Sequence, residues 1–349
     1  MENPVFCVII VNYNAGSLLQ QALDSVLHQS LAAAEIIIVD NDSSDGSIET
    51  LRVPSDGCVK ILRSNANLGF AGGNNLAARQ TQCDWLALLN PDAIADPDWL
   101  ETLAVAISGF PTVDMFASAQ IDADDPETLD GAGDCYFAGG IPWRGGFGLP
   151  ISELPLRGEC FSACGASLLI RRSRFEELGG FDEDFFCYCE DVDLGFRHRL
   201  AGGHCIFLPE ARVAHVGSAT SGRHSDFTIR LGTRNRIWTY VTNMPPIGLF
   251  LTFPLQIALT TYLCLRAAGR PYARAMCRGV CESVAGIGIA WRKRRFVAAT
   301  RSVGTFGVLR SMCLDPRKLA SRKPHTWPVS EALARRDGPV SALKKSPPS

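Results

Sequence analysis

Residues 5–46 read VFCVIIVNYNAGSLLQQALDSVLHQSLAAAEIIIVDNDSSDG, and this stretch decides the fold class. Residues 5–11 form a short, uninterrupted apolar run, which is typical of a parallel strand buried on both faces. Apolar residues then recur at helical spacing over 17–29, and 35–39 is a second apolar run. A strand, a helix and a strand in succession predict an open, mostly parallel α/β sheet.

The same alternation continues toward residue 90. We expect a helix that begins at 47–51, a strand over 59–62, a helix that ends near Arg79 and a strand over 85–89. Ligands of such sheets bind beyond the carboxyl ends of the strands. Those ends carry two polar loops, at residues 12–14 and 40–45.

The middle of the chain is less regular. Residues 120–160 are rich in Gly and Pro with little periodicity, and we interpret them as a long loop that covers a site. Beyond it we expect a strand over 166–170, a short helix over 173–178, an aromatic strand or turn over 181–188 and a helix over 190–200.

Charge is distributed unevenly along the 349 residues. The net charge is −2, yet residues 266–349 hold 18 Lys and Arg against 4 Asp and Glu, and residues 1–265 hold 16 against 32. This split favours an acidic catalytic part and a basic part that meets an anionic surface, either a membrane or nucleic acid.

The thirteen cysteines are scattered and show no zinc-site spacing, which favours reduced thiols in the cytosol over a disulfide framework. The N-terminus lacks a basic segment before its first apolar run. We therefore expect no signal peptide.

Two polar loops have two interpretations each. Asp40 and the loop after it could form a helix-capping turn, or Asp40 could accept a hydrogen bond from a nucleobase. The same choice applies to Asn12, Tyr13 and Asn14.

A metal site is the favoured interpretation of Asn90-Pro91-Asp92, because Asp92 ends an apolar strand where a carboxylate could hold Mg²⁺ or Mn²⁺ beside phosphates. The alternative is a helix cap, although Asp96 or Asp98 could supply that cap. His215 also ends an apolar segment. It could be a hydrogen-bonded core histidine or a further metal ligand.

Residues 185–200, FFCYCEDVDLGFRHRL, place three acids directly after a run of aromatic and Cys residues. Glu190, Asp191 and Asp193 could simply complement the helix dipole. A carboxylate in that setting can instead have a raised pKa, as a general base should, with Arg197 and Arg199 partly neutralising the cluster.

Six ordered motifs carry a resemblance to a known family. VIIVNYN, IIIVDNDSSDGS, NLGFAGGNN, LLNPDA, GASLLIRRSRFEELGGFDEDFFCYCEDVDLGFR and VAHVGSAT together resemble the family 2 glycosyltransferases, in particular their bacterial rhamnosyltransferase-like branch. The resemblance covers about residues 4–240. It implies an α/β fold of the GT-A type, in which a nucleotide-binding half joins an acceptor-binding half.

The resemblance also implies roles for individual residues. Asp40 would read the base of a nucleoside-diphosphate sugar, near Asn12, Tyr13 and Asn14, and Asn67, Gly69 and Asn90 would line the same donor site. Asn90-Pro91-Asp92 stands at the family's Asp-x-Asp motif, with Asn90 in place of the first Asp. Asp92 and His215 would hold Mg²⁺ or Mn²⁺, and Asp191, next to Glu190, would be the general base.

The implied activity is inverting transfer of a sugar from a dTDP- or UDP-sugar to a glycan or lipid-linked acceptor in cell-surface polysaccharide synthesis. Rhamnose from a dTDP donor is the first expectation, and galactofuranose, mannose and an N-acetylhexosamine stay open. One rival is an inactive nucleotide-sugar-binding protein of the same fold, but Asp92, Asp191 and His215 are all present. The other is a nucleotidyltransferase, but residues 12–16 lack the basic phosphate loop expected of one.

We divide the chain into a GT-A domain (1–240), a hydrophobic and basic helical extension (241–315) and a flexible basic tail (316–349). Residues 247–265 carry no charge and include Pro254. Arg266, Arg270, Arg274 and Arg278 recur every four residues, so we expect them to share one helical face.

A transmembrane span, a plain core helix or an interfacial or re-entrant element would each suit residues 247–265. We favour the last, since a single span would export the basic tail. The expected location is the cytoplasmic face of the cell membrane, on anionic lipid rather than on nucleic acid.

Overall fold

The computed structural model describes residues 4–217 and 225–333. Within these residues the strands are β1 (Phe6–Asn12), β2 (Glu35–Asp40), β3 (Val59–Arg63), β4 (Trp85–Leu89), β5 (Ala93–Ala95), β6 (Met115–Asp122), β7 (Leu129–Ala132), β8 (Asp134–Phe137), β9 (Ile141–Arg144), β10 (Gly158–Glu159), β11 (Ser167–Arg171) and β12 (Cys205–His215). The helices are α1 (Leu18–Leu27), α2 (Gly69–Ala78), α3 (Trp99–Gly109), α4 (Arg172–Glu177), α5 (Glu190–Leu200), α6 (Asp226–Asn243), α7 (Pro246–Ala267), α8 (Ala273–Ala285), α9 (Ile287–Thr300), α10 (Thr305–Arg310) and α11 (Pro316–Ser321).

The central sheet has the strand order β10-β12-β6-β11-β4-β1-β2-β3. Neighbours from β4 to β3 are parallel, as are β12 and β6, whereas β11 runs antiparallel between β4 and β6. The carboxyl ends of β1, β2, β4 and β12 therefore lie at one edge of the sheet, together with the amino end of β11. This edge carries the candidate site.

Apolar side chains on both faces explain why the strands form. In β1, Val8 and Ile10 pack into one core cluster, and Ile9 and Val11 pack into a second cluster on the other face. Burial on both faces is what the uninterrupted apolar run predicts. The α/β fold with a mostly parallel sheet is thus confirmed.

The helix expected from 47 does not form. Residues 46–51 make turns, and the Asp45 carboxylate accepts hydrogen bonds from both the backbone N–H and the hydroxyl of Ser47. Pro54 follows closely, and a residue before proline is disfavoured in the helical region. The loop therefore returns directly to β3.

The expectation of a long loop over 120–160 is wrong. This segment completes β6, contributes β7 to the sheet and forms the hairpin of β8 and β9 before β10. Its glycines serve the turns, as at Gly133 and Gly140, whose φ angles are +73° and +81°. Strands of four residues are too short to show a clear period.

The C-terminal helices pack against α5 and the segment before it. Phe185 and Phe196 share one apolar cluster with Trp238 of α6, Ala290 of α9 and Val308 of α10. The expected boundary at residue 240 lies inside α6.

The four arginines do not share one helical face. Arg266 lies on α7, whereas Arg274 and Arg278 lie on α8, because Gly269 (φ +77°) and Pro271 interrupt the helix between them.

Helix α7 leaves most of its apolar surface uncovered. Among the described residues it is the one helix long and apolar enough to cross a membrane. Only 17% of its most apolar 18-residue stretch is buried. Phe250 is 81% exposed and Leu251 58% exposed.

The chain beyond α10 folds back over the hairpin of β8 and β9. Cys313 forms an isolated β-bridge with Phe137 of β8, and Trp327 forms one with Glu159 of the nearby β10. The Trp143 indole of β9 donates a hydrogen bond to the Lys323 carbonyl at 3.2 Å. The expected tail thus begins with a segment that contacts the hairpin, and its last part, 334–349, lies outside the described residues.

Candidate active site

A cavity of about 780 Å³ opens at the carboxyl ends of the strands. Eight residues expected at the site from the sequence line this cavity: Tyr13, Asn67, Gly69, Asn90, Asp92, Glu190, Asp191 and His215. The other three, Asn12, Asn14 and Asp40, lie outside its lining. Residues far apart in the sequence are thus brought to one place.

Asn12, Asn14 and Asp40 hold the loop over 40–47. The Asn12 amide donates to the hydroxyls of Ser43 and Ser47 at 2.9 Å each. Asp40 Oδ1 accepts from the Ser43 backbone at 3.2 Å, and Asn14 Oδ1 from the Ser44 backbone at 2.8 Å. These contacts match the turn interpretation, and contact with a nucleobase stays a prediction.

Gly69 connects the two sides of the cavity. Its φ is +70°, and a Cβ there would lie 2.3 Å from the Phe186 carbonyl oxygen. Asn67 Oδ1 accepts from the Gly69 N–H at 2.9 Å, and the Ala71 N–H donates to the Phe186 carbonyl at 3.1 Å. Only glycine fits this position, and α2 is thereby joined to the segment before α5.

Asp92 and His215 meet because β5 pairs with β12, which places Ala93 opposite His215. His215 Nε2 lies 3.3 Å from Asp92 Oδ1 and 3.3 Å from Asn90 Nδ2, and Nδ1 lies 2.7 Å from Asp130 Oδ2. A metal-binding histidine usually donates its other ring N–H to a carboxylate in this way. Since a carboxylate oxygen and an imidazole nitrogen suit Mg²⁺ or Mn²⁺, the residues present fit the cation.

The acids around His215 favour the protonated, positively charged form of its imidazole. Burial opposes protonation of the imidazole, but the hydrogen bonds to Asp130 and Asp92 outweigh burial and raise the pKa of His215. A lone core histidine would lack these two acids.

Sequence reasoning missed three residues of the site, Asp130, Asp134 and Arg144. They come from β7, β8 and β9, and Arg144 forms an ion pair with Asp130. The one available signal was that they are the only charged residues between 128 and 152.

Asp134 lies buried at the cavity, and its Oδ2 has no hydrogen-bond partner among the described residues. Burial, and after it the charge of Asp191, raises the pKa of Asp134 well above its ordinary value. Because buried polar atoms are rarely left without a partner, Asp134 is a further candidate functional residue of the cavity.

Asp191 is held by the backbone. Its Oδ2 accepts from the Gly165 N–H and its Oδ1 from the Val192 N–H, both at 2.8 Å. One carboxylate oxygen each from Asp191 and Asp134 and the Cys164 sulfur lie within 4.8 Å of one another. Burial raises the pKa of Cys164 to about 12, so this side chain stays a thiol.

Arg144 is the counter-ion of this acidic group. Burial lowers its pKa, but Cys164, Asp130, Asp134 and Asp191 together raise the pKa of Arg144. The Arg144 guanidinium therefore interacts electrostatically both with the acid beside His215 and with the acids around Asp191.

Glu190 shows the raised pKa that its apolar surroundings predict. Burial is the larger cause and the neighbouring Asp191 the next. The expectation that Arg197 and Arg199 partly neutralise the acidic cluster is right for Arg197, which forms an ion pair with Asp193 at 2.7 Å. It is wrong for Arg199, which forms an ion pair with Glu159 at 2.9 Å instead.

Comparisons with known proteins agree with this arrangement. The family model for glycosyl transferase family 2 matches residues 7–179. The chain is 30% identical over 250 residues to an N-acetylglucosaminyl-diphospho-decaprenol L-rhamnosyltransferase of Mycobacterium tuberculosis, which covers 63% of this chain and 78% of that protein. It is 28% identical over 225 residues to the O-antigen biosynthesis protein RfbC of Myxococcus xanthus, across 62% of this chain and 18% of RfbC.

A solved structure shows the same fold. A crystal structure of GalNAc-T7 with UDP, GalNAc and Mn²⁺ matches at a TM-score of 0.53 with 20% sequence identity, over 69% of this chain and 50% of that one. The motifs, the sheet topology, the family model and the mycobacterial relative lead to one conclusion. The chain belongs to glycosyltransferase family 2, resembles its rhamnosyltransferase branch and has the GT-A fold.

Proposed function

We propose that this glycosyltransferase moves a sugar from a nucleoside-diphosphate donor to a hydroxyl of a glycan or lipid-linked acceptor, with inversion at the anomeric carbon. The observation that carries the proposal is that Asp92, His215 and Asp191 line one cavity. Rhamnose from a dTDP-sugar is the first candidate, because the mycobacterial relative is named as an L-rhamnosyltransferase. UDP-sugars are the second.

The donor would lie on the side formed by the first four strands. Asp40, Asn12 and Asn14 shape the loop that would surround the nucleoside, and Tyr13 lies at the cavity. Asn67, Gly69 and Asn90 would contact the ribose and the diphosphate.

Asp92 and His215 would hold Mg²⁺ or Mn²⁺, with Asp130 fixing the ring of His215. When bound, the cation would neutralise the diphosphate that leaves.

Asp191 would accept the proton of the attacking hydroxyl. Its two backbone contacts fix the carboxylate, so that a hydroxyl in the cavity can reach it. Glu190 adjoins it at the cavity. Proton removal and departure of the diphosphate on opposite sides of the sugar amount to one displacement, which inverts the anomeric centre.

The extension would bind the cytoplasmic face of an anionic membrane, where a lipid-linked acceptor of surface polysaccharide synthesis would be found. Exposed Phe250 and Leu251 on α7, together with the arginines at its end and on α8, suit an interfacial helix. The lipid in the name of the mycobacterial relative is consistent with such an acceptor.

Donor turnover tests the proposal. Nucleotide release is followed from dTDP-rhamnose and a set of UDP-sugars with Mg²⁺, Mn²⁺ or EDTA. We expect one donor class to release its nucleoside diphosphate slowly in water, and EDTA to stop the release. Conversion of the donor and added pyrophosphate into a nucleoside triphosphate and a sugar 1-phosphate would instead indicate a nucleotidyltransferase, and turnover unaffected by EDTA would contradict the metal site.

Flotation with vesicles tests the membrane surface. Phe250→Ser and Leu251→Ser together should reduce binding to vesicles that contain anionic lipid, because each removes an exposed apolar side chain. Leu156→Ser is the matched control, since Leu156 is 88% exposed but lies outside the extension. Equal binding by both variants would contradict a role for α7.

A further inference from the structure

Residues 184–189, here called the catalytic loop, lie directly before Glu190 and Asp191. Phe186, Tyr188 and Cys189 have φ angles of 65°, 70° and 66°, in the left-handed region that favours glycine. Such a conformation is strained for a residue other than glycine, and it persists only when its surroundings hold it there. The molecule must therefore contain groups that hold this loop.

Asn235 of α6 is such a group. It is 0% exposed, and its Nδ2 donates to the carbonyl oxygens of Phe185, Cys187 and Tyr188 at 2.9, 2.8 and 2.8 Å. An amide has two N–H groups, so three carbonyls share two donors. One side chain thus holds three of the carbonyl groups around the strained residues.

Arg234 fixes the orientation of that amide. Its Nε donates to Asn235 Oδ1 at 2.8 Å, and one terminal nitrogen donates to the Asp184 and Phe185 carbonyls at 2.9 and 3.1 Å. Because Nε–H can only donate, the oxygen of Asn235 must face Arg234 and its nitrogen must face the loop. The two neighbouring residues act on the loop from the same helix.

The opposite side of the loop contacts the donor side of the cavity. The Phe186 carbonyl accepts from the Ala71 N–H, against Gly69. The catalytic loop is therefore held between α2 and α6, and the direction in which it enters α5 determines where Asp191 lies. A shift of about 1 Å in a reacting group can cost about 100-fold in rate.

We propose that Asn235 is a positioning residue for sugar transfer, which holds the catalytic loop so that Asp191 faces the donor across the cavity. This inference rests on the proposed function. The competing view is that Asn235 only stabilises the fold, as many buried amides do.

Asn243 separates the two views. It lies on the same helix, is 2% exposed, and its Nδ2 donates to the Asp193 carboxylate at 2.6 Å rather than to the catalytic loop. Asn235→Ala and Asn243→Ala therefore remove the same buried amide. The first variant loses the contacts with the catalytic loop and Arg234, and the second loses the contact with Asp193. A purely structural role predicts equal losses of activity at equal losses of stability.

The kinetic test measures nucleotide release from the active donor at saturating metal. Asn235→Ala should lower kcat by about 10- to 100-fold with little change in donor KM. Asn243→Ala should keep kcat within about twofold of wild type while the two variants show similar thermal stability. Equal kcat values for the two variants would overturn the proposal.

Hydrogen exchange gives a readout that needs no substrate. Amides over 183–192 should exchange faster in Asn235→Ala than in Asn243→Ala, since only the first variant releases the catalytic loop. Unchanged exchange there would also overturn the proposal, whether or not a donor has been found. If Asn235→Ala does not fold, Asn235→Ser can replace it in both measurements, with Asn243→Ser as its control. We expect Asn235→Ser to show the lower kcat and the faster exchange over 183–192.

Discussion

The two sides of the cavity are built in different ways. The wall proposed to bind the donor, here called the donor wall, comprises residues 11, 13, 41, 67, 69, 70 and 90–92. It consists of loops that follow parallel strands or begin a helix beside them. The wall proposed to face the acceptor, here called the acceptor wall, comprises residues 134, 142–144, 164–166 and 186–192. It consists of a short hairpin, a turn before β11, the strained catalytic loop and the start of α5. The first wall follows from regular structure, whereas the second depends on contacts between distant segments.

This difference predicts that a substitution in one wall can impair the property that depends on that wall without affecting the property that depends on the other. The donor wall should govern binding of the nucleotide and metal. The acceptor wall should govern the proton transfer and the hydroxyl that attacks. Changes that affect one property without the other would support the division, and joint losses would contradict it.

The largest expected effect is that of Asp191→Asn. We expect transfer and hydrolysis to fall by about 1,000-fold, because a general base contributes about 100- to 10,000-fold. Donor affinity, measured by calorimetry with Mn²⁺ present, should stay within about twofold, since Asp191 lies on the acceptor wall. A parallel loss of donor affinity would show that the two walls do not act separately.

Asp130→Asn should lower the affinity for the metal, although Asp130 is not itself a proposed metal ligand. Asp130 accepts from His215 Nδ1 at 2.7 Å, and loss of such a partner typically costs about 10- to 100-fold in metal affinity. Mn²⁺ binding in the presence of nucleotide can be measured by calorimetry.

Asp134→Asn is the matched control for that change, because it alters an equally buried Asp on the neighbouring strand, and we expect it to leave Mn²⁺ affinity unchanged. Equal weakening by both variants would mean that charge, rather than contact with His215, controls the metal.

The smallest expected effect is on stability. Burial and Asp191 raise the pKa of Glu190, so the folded state binds this proton more tightly than the unfolded chain. The free energy of unfolding therefore falls as the pH rises from the unfolded pKa of about 4.3 through the higher folded pKa. Glu190→Gln removes this penalty and should raise the Tm at about pH 8 but not at about pH 4.

Thermal unfolding of Glu190→Gln at both pH values checks this sign. Glu127→Gln changes an exposed glutamate and should leave the Tm unaltered at either pH. A Tm increase in Glu190→Gln that is the same at both pH values would indicate better packing rather than a removed charge.

The first strands of the sheet, the helix α5 and several cavity residues on both walls were predictable from the sequence. The strands β1, β2, β3 and β4 and the helix α5 match their expected ranges to within about two residues, because buried parallel strands have uninterrupted apolar runs. Asn90, Asp92, Asp191 and His215 were expected to lie together, and all four line the cavity.

The hairpin and the contacts that hold the catalytic loop were not predictable in the same way. Asp130, Asp134 and Arg144 lie in a segment whose strands have four residues each, too few to show a period. Their neighbours His215, Asp191 and Cys164 are remote in sequence. The contacts of Asn235 with the catalytic loop join residues about fifty positions apart, and no local pattern encodes them.

The stereochemistry of transfer tests the central claim, that the two walls act on opposite sides of one sugar. Proton NMR can follow the anomeric configuration of the sugar that is first released from the active donor, before it equilibrates in water. The account predicts a configuration opposite to that of the donor, lost together with turnover in Asp191→Asn. A released sugar with the donor's own configuration would contradict a single displacement assisted by Asp191.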